Sequence, residues 1–201
     1  MSTRDSFLDQ LRRPRPDPGG GSASAHGALM AAALAEKIVL VEKKRARSND
    51  AKEIYWEDLH RKLEILIKGL TALRNEDVEV YLNLSKIIST GNSAMLDKAA
   101  ADASLCPFRI MQRAVIGLGL IKDAGMRCRT VMISDALVAC EFMGAALAAA
   151  GHIGIANLRL IRNPEEKESM LETFIAELKH GMELLETARR EIRMRHEDCG
   201  R

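Results

Sequence analysis

The sequence predicts an all-α protein: a bundle of about eight helices packed around two Ala-rich ones, forming a single domain over residues 1–201. Three observations carry this. Ala, Leu, Ile, Met, Glu, Lys and Arg dominate between the breakers, and aromatic residues make up only 3% of a chain that is 47% hydrophobic. Leu59, Leu63, Leu66, Leu70, Leu73, Val80, Leu84 and Ile87 recur at alternating steps of about four and three, the signature of one helical stripe. No segment alternates with the period of a strand.

The elements follow in order. Residues 2–13 suit a short amphipathic helix with Phe7, Leu8 and Leu11 on one side, stopped by Pro14, Pro16 and Pro18. Gly19, Gly20 and Gly21 come next, and Ser22 is placed to cap a helix running to about residue 47. Its first half is small on every face, which predicts close packing on several sides. Ser48, Asn49 and Asp50 offer a turn and cap before the leucine stripe, and Thr90-Gly91-Asn92 ends it. A helix over residues 93–103 is expected next. Pro107 is placed to open another, and Gly125 to close it. Ser134 and Asp135 head a long Ala-rich helix over residues 134–161. Asn163-Pro164 caps the last helix, which begins with Glu165, Glu166 and Glu168 and ends with Arg189, Arg190, Arg193 and Arg195, an order that complements the helix dipole. Its stripe runs through Leu171, Phe174 or Ile175, Leu178, Met182, Leu185 and Ile192.

The formal charge of +2, from 30 basic and 28 acidic residues, argues against a nucleic-acid binder. Cys106, Cys128, Cys140 and Cys199 lack metal-ligand spacing and read as reduced thiols, with Cys140 in the core. The five scattered histidines give no metal site. The most apolar stretch, 133–161, contains Asp135, Glu141, His152, Asn157 and Arg159, which are costly in lipid. No membrane span is expected, and a cytoplasmic location is.

Asp77 occupies the one step of the leucine stripe that is not apolar. A carboxylate facing a core has its pKa raised by burial and suits proton transfer. The competing reading ends a helix at Arg74, makes Asn75 the cap of the next, and leaves Glu76 and Asp77 as solvated first-turn acids. The glycines at 19–21 leave bare backbone at a helix start, open either to a planar or anionic ligand or to tight helix packing. The GK[ST] ending of a P-loop is absent.

Phe7-Leu8, then Pro18-Gly19-Gly20-Gly21-Ser22, then Gly27-Ala28-Leu29 opening an Ala-rich helix resemble the start of the cyclodeaminase/cyclohydrolase family. The resemblance extends through most of the chain. Lys43-Lys44 is similar to the family's basic cluster, and Asp77-Val78-Glu79-Val80-Tyr81 to its Asp-x-x-Ala-Phe segment. Pro107 matches a helix-opening proline, Ser134-Asp135 a Ser-Asp helix start, and Asn157 an Asn further along that helix. The resemblance implies an all-helical homodimer acting on a reduced folate without metal or separate cofactor. It would eliminate ammonia from 5-formiminotetrahydrofolate or hydrolyse 5,10-methenyltetrahydrofolate to 10-formyltetrahydrofolate.

It further implies that Asp77 is the acid/base, and that Gly19, Gly20, Gly21, Ser22, Lys43, Lys44, Ser134, Asp135 and Asn157 line the substrate site. In that reading Asp135 is a second carboxylate and the two lysines meet the folate glutamate tail. Each also has a plain structural reading: Asp135 as a helix N-terminal acid, the lysines as a solvated helix end, Asn157 as bonded to another helix. The chain departs from its relatives at Val39, Val41 and Ile153, where polar residues are common. Ser89-Thr90-Gly91-Asn92 also lacks the relatives' Leu-Pro-Lys-x-Thr loop. Those departures keep open a same-fold enzyme acting on a non-folate imine or amidine, and a non-catalytic helical dimer.

Overall fold

The computed structural model describes residues 7–46, 50–91 and 93–199. Six α-helices are found among them: α1 (Phe7–Leu11), α2 (Gly20–Ala46), α3 (Asp50–Ser89), α4 (Ser93–Gly125), α5 (Ile133–Leu158) and α6 (Pro164–Cys199), with a 3₁₀ turn at Thr130–Met132 before α5. The predicted cap at Ser48-Asn49, the start of the first helix at residue 2, and Asn92 lie outside the described residues.

The count among the described residues is six rather than about eight: neither the break before Pro107 nor the one at Asn75 that the competing reading required occurs. α3 runs unbroken through Asn75, so Asn75 is no cap and Asp77 sits mid-helix. The apolar stripe on both sides holds the helix together: Leu70, Leu73, Leu84 and Ile87 are all buried. α4 likewise runs through Pro107. A proline in a helix interior lacks the N–H that would bond the carbonyl four residues back, here that of Ala103. The structure supplies a substitute donor, since Asn157 Nδ2 on α5 donates to Ala103 O at 2.8 Å.

α2 and α5 pack against each other and against α4, with α3 flanking α2 and α6 flanking α5. One core runs through all five long helices, including Ala28, Leu63, Ile110, Leu147 and Phe174. Small residues let the helices approach: a Cβ on Gly154 would lie 2.0 Å from the Phe174 ring. Phe174 rather than Ile175 takes the core position on α6, and Met182 is partly exposed. Neither Ala-rich helix is buried all round, since α2 exposes Met30 and Leu40 and α5 exposes Val138 and Phe142. Gly20–Ala46, Met95–Gly125 and Thr130–Leu158 are long and apolar enough to cross a membrane by length and composition alone. In the bundle about half of each such window is buried in protein.

Two connections form as predicted. Gly91, at φ 63°, takes the left-handed conformation that follows α3. Asn163 Oδ1 accepts from the Glu165 and Glu166 amides at 3.1 and 3.4 Å. Ser134 does not cap α5: the residue before the helix is Met132, with no side-chain cap. Ser22 does not cap α2 either, as that helix already begins at Gly20.

Candidate active site

The start of α2 meets the middle of α3 at Asp77. The first amides of a helix have no partner within it, and α2 takes one from its neighbour. Asp77 Oδ2 accepts from the Ser22 amide at 2.7 Å and from Ser22 Oγ at 2.9 Å. Asp77 is therefore a capping acid, but for α2 rather than for its own helix. Ser22 Oγ also lies 3.1 Å from Arg74 O, so one hydroxyl proton faces two acceptors. Asp77 Oδ1 accepts no hydrogen bond among the described residues and lies against Gly21.

Gly21 explains why this stretch is glycine. It is helical, so no unusual φ demands it; a Cβ there would sit 1.9 Å from Asp77 Oδ1. The bare backbone makes room first of all for the carboxylate. Gly20 is similarly close to Ile153, whose Cδ1 would lie 2.7 Å from an added Cβ.

Asp77 is 7% exposed. Burial holds its carboxyl above the ordinary value, and the Ser22 hydroxyl and amide pull it back down. No cation among the described residues pairs with it. Beside it, the Cys106 thiol is pushed up to about 12 by burial and by the charges of Asp77 and Glu76. That thiol stays protonated and inert at neutral pH.

A cleft of about 200 Å³ opens on Asp77. Its walls include Gly19, Gly20, Gly21, Tyr81, Ile153 and Asn157. Of the residues predicted for the site, the structure thus brings Asp77, the three glycines, Ser22 and Asn157 together. The Asn157 amide is engaged by Ala103 O, so it serves the backbone that Pro107 leaves unpaired.

The other four predicted residues lie elsewhere. Lys43 and Lys44 are in the last turn of α2, roughly 30 Å along that helix from Ser22, and Lys43 pairs with Glu57. Ser134 and Asp135 head α5, at the opposite end from Asn157, and Asp135 pairs with Lys37 at 2.8 Å. Within one chain, then, Asp135 is not a second carboxylate beside Asp77, and the two lysines do not reach the cleft. The carboxylate that does share the cleft is Asp17. Its place in the proline–glycine loop was the only signal for it, because the loop's approach to α3 has no mark in local periodicity.

A larger cleft, about 620 Å³, lies at the far end of the bundle, lined by Glu42, Trp56, Arg127, Arg129 and Arg195 among others. Its buried acid, Glu42, accepts from Arg129 Nε at 3.0 Å and from the Arg129 amide at 3.1 Å. Size favours this cleft, but chemistry favours the smaller one, because only there does a buried acid lack a counter-charge. No group of three or more His, Cys, Asp or Glu side chains gathers as for a metal ion among the described residues.

Among the described residues, the fold and site define an all-helical bundle in which a buried carboxylate without a paired cation meets a glycine-lined helix start. The family model of formiminotransferase-cyclodeaminase matches residues 3–176, and the chain belongs to that family. Among solved structures, it is similar to the crystal structure of formiminotetrahydrofolate cyclodeaminase from Thermotoga maritima. The TM-score is 0.85 and the identity 20%, with 100% of this chain and 98% of that chain covered. At that identity the likeness speaks for the fold. A search of curated proteins finds no match.

Proposed function

We propose that the protein is a folate one-carbon enzyme that eliminates ammonia from 5-formiminotetrahydrofolate or hydrolyses 5,10-methenyltetrahydrofolate to 10-formyltetrahydrofolate, with Asp77 as the acid/base. The family membership supports the substrate class. The observation that carries the acid/base role is the burial of Asp77 in a cleft with only the neutral donors of Ser22. In ring closure, substrate N10 attacks the formimino carbon and its proton passes to the formimino nitrogen, and the protonated Asp77 supplies the second proton with which that nitrogen leaves as ammonia. In hydrolysis, the ionised Asp77 takes a proton from the water that attacks the methenyl carbon. Burial raises the Asp77 pKa, which makes its protonated form more accessible than that of an exposed carboxylate. Ser22 follows either form. Its hydroxyl donates to ionised Asp77, or turns to Arg74 O and accepts from protonated Asp77.

A second reading rests on a specific observation. Ile153 gives the cleft an apolar wall, and the Asn157 amide is already engaged, so few polar groups in the cleft are left to recognise a pterin. A same-fold enzyme acting on another imine or amidine fits that lining. Under either reading no metal or cofactor takes part, and the location is cytoplasmic. The exposed apolar residues Met30, Leu40, Val138 and Phe142 of α2 and α5 suit a homodimer face.

The test is direct. Purified protein is assayed for loss of the methenyl absorbance and for ammonia release from the formimino substrate. Turnover in the wild type that is lost in Asp77→Asn supports the folate reading; a wild type inert to both substrates rules it out.

A further inference from the structure

We infer that the Asp77 cleft continues into an anion-binding chamber, and that the ligand reaching Asp77 carries a carboxylate tail held there by Arg15 and Arg74. The inference builds on the proposed function in taking the Asp77 cleft as the substrate site. A second cavity, about 360 Å³, adjoins that cleft; Gln10, Arg15, Arg74 and Asn75 line it, and it shares Asp17 and Val78 with the cleft.

Several arginines on other cleft walls are paired with carboxylates: Arg61 with Asp58, Arg109 with Glu76 and Arg129 with Glu42. Neither Arg15 nor Arg74 has a carboxylate partner among the described residues. Arg74 Nη1 lies 3.4 Å from His26 Nδ1, and its guanidinium sits 5.5 Å from the centre of the Phe7 ring. Phe7 in turn stacks on His26 at 4.3 Å. Burial, and then Arg74 itself, lower the His26 pKa, so His26 is a neutral acceptor at pH 7 and leaves the guanidinium charge uncompensated. The side chain is therefore held in place by a ring and an imidazole while its charge stays unmatched.

A guanidinium offers paired donors that match a carboxylate, and Gln10 and Asn75 add neutral amide groups. Asp17 stands on the shared wall and forms no ion pair with either arginine. It belongs with Asp77 to an acidic inner chamber, followed by a basic outer one. That order of charge selects a ligand with a cationic or proton-accepting centre at one end and an acid at the other. Lys43 and Lys44, roughly 30 Å away along α2, cannot serve this tail within the same chain.

The test has two arms. In the first, glutarate is titrated into the full-length protein while the arginine Nε–Hε resonances are followed by NMR. Arg15 and Arg74 should move together and ahead of the other arginines, and they should do so in Asp77→Asn as well. In the second arm, the exposed Arg15→Gln and the double variant with Arg74→Gln are assayed on the folate substrate. Loss of a charge-assisted pair predicts that kcat/KM falls about tenfold or more, through KM. The corresponding pteroate lacking the glutamate should not distinguish the variants from wild type. If Arg74→Gln loosens α1, Arg15→Gln alone still reads out. No glutarate response at Arg15 and Arg74, or folate kinetics equal in wild type and both variants, overturns the chamber. A wild type that turns over no folate, yet shows the arginine response, overturns the folate reading and leaves the chamber standing.

Discussion

Two buried acids lie on helices at opposite ends of this bundle, and they differ in what faces them. Glu42, near the end of α2, meets a guanidinium and a backbone amide from Arg129. Asp77, mid-way along α3, meets a hydroxyl and an amide from Ser22. Their exposures, 8% and 7%, are nearly equal, so burial does not separate them. The partner does. A guanidinium supplies the opposite charge and makes the pair a fastening between α2 and the loop before α5. Neutral donors leave the proton exchangeable, and burial pushes the pKa up. A carboxylate becomes a candidate for proton transfer when it is buried without a cation, not simply when it is buried.

Activity gives the sharpest way to break that contrast. Asp77→Asn should lower turnover of whichever folate substrate the wild type accepts by roughly 10²–10⁴-fold, as expected for loss of a general acid/base. Glu42→Gln should turn over like wild type at a temperature where both are folded. Equal losses in steady-state assays would mean that the two acids are not different in kind.

Gly21→Ala tests the space around Asp77. Ala is the better helix former by up to about 1 kcal/mol, but its Cβ would fall 1.9 Å from Asp77 Oδ1. The clash should win, with a net loss of about 1–3 kcal/mol in urea unfolding and a further loss of turnover as the carboxylate is displaced.

Glu42→Gln should cost about 1–2 kcal/mol, because it removes the charge from a hydrogen-bonded ion pair that is partly open to water on the Arg129 side. Asp77→Asn should be neutral or stabilising at pH 7. The opposite signs, read as shifts in the urea midpoint, restate the contrast without any assay of activity.

The Asn157–Ala103 bond predicts non-additivity. Asn157→Ala should cost about 1–3 kcal/mol by leaving a carbonyl unpaired. In the Pro107→Ala background the restored N–H can bond Ala103 O, so the same substitution should cost about 1 kcal/mol less. A double-mutant cycle with no coupling would show that Asn157 does not stand in for the missing helical donor.

The smallest effect concerns pH. The folded pKa of Asp77 is raised, so the protonated acid contributes stability that is fully present below its unfolded pKa and is lost as pH rises through the folded value. Asp77→Asn lacks that titration. Its stability relative to wild type should therefore climb between the ordinary carboxylate pKa and the raised one, then level off. A difference independent of pH would place the Asp77 pKa at its ordinary value.

Much was legible in the sequence where the cause is local. The leucine stripe, the helix break at Thr90-Gly91 and the Asn163-Pro164 cap each depend on residues within a turn or two, and each is present in the fold. Asp77 stood out for the same reason, as a polar step in an apolar repeat. The motif order was also sufficient to place the chain in its family.

What needed the tertiary structure was decided between residues far apart in the chain. The partner of Asp77 is Ser22, 55 residues earlier, and that contact makes the acid a cap of α2 rather than a solvated first-turn acid of its own helix. Pro107 read as a helix start because its lost hydrogen bond is visible locally while the replacement from Asn157 is not. Lys43, Lys44, Ser134 and Asp135 look like site residues in motif order, yet helix length places them at the other end of the bundle. The sequence by itself determined which segments are helical and which faces are apolar, because periodicity and capping act within a few residues. Only the tertiary structure decided which buried acid meets a cation and which meets neutral donors, because those partners come from parts of the chain far away in sequence.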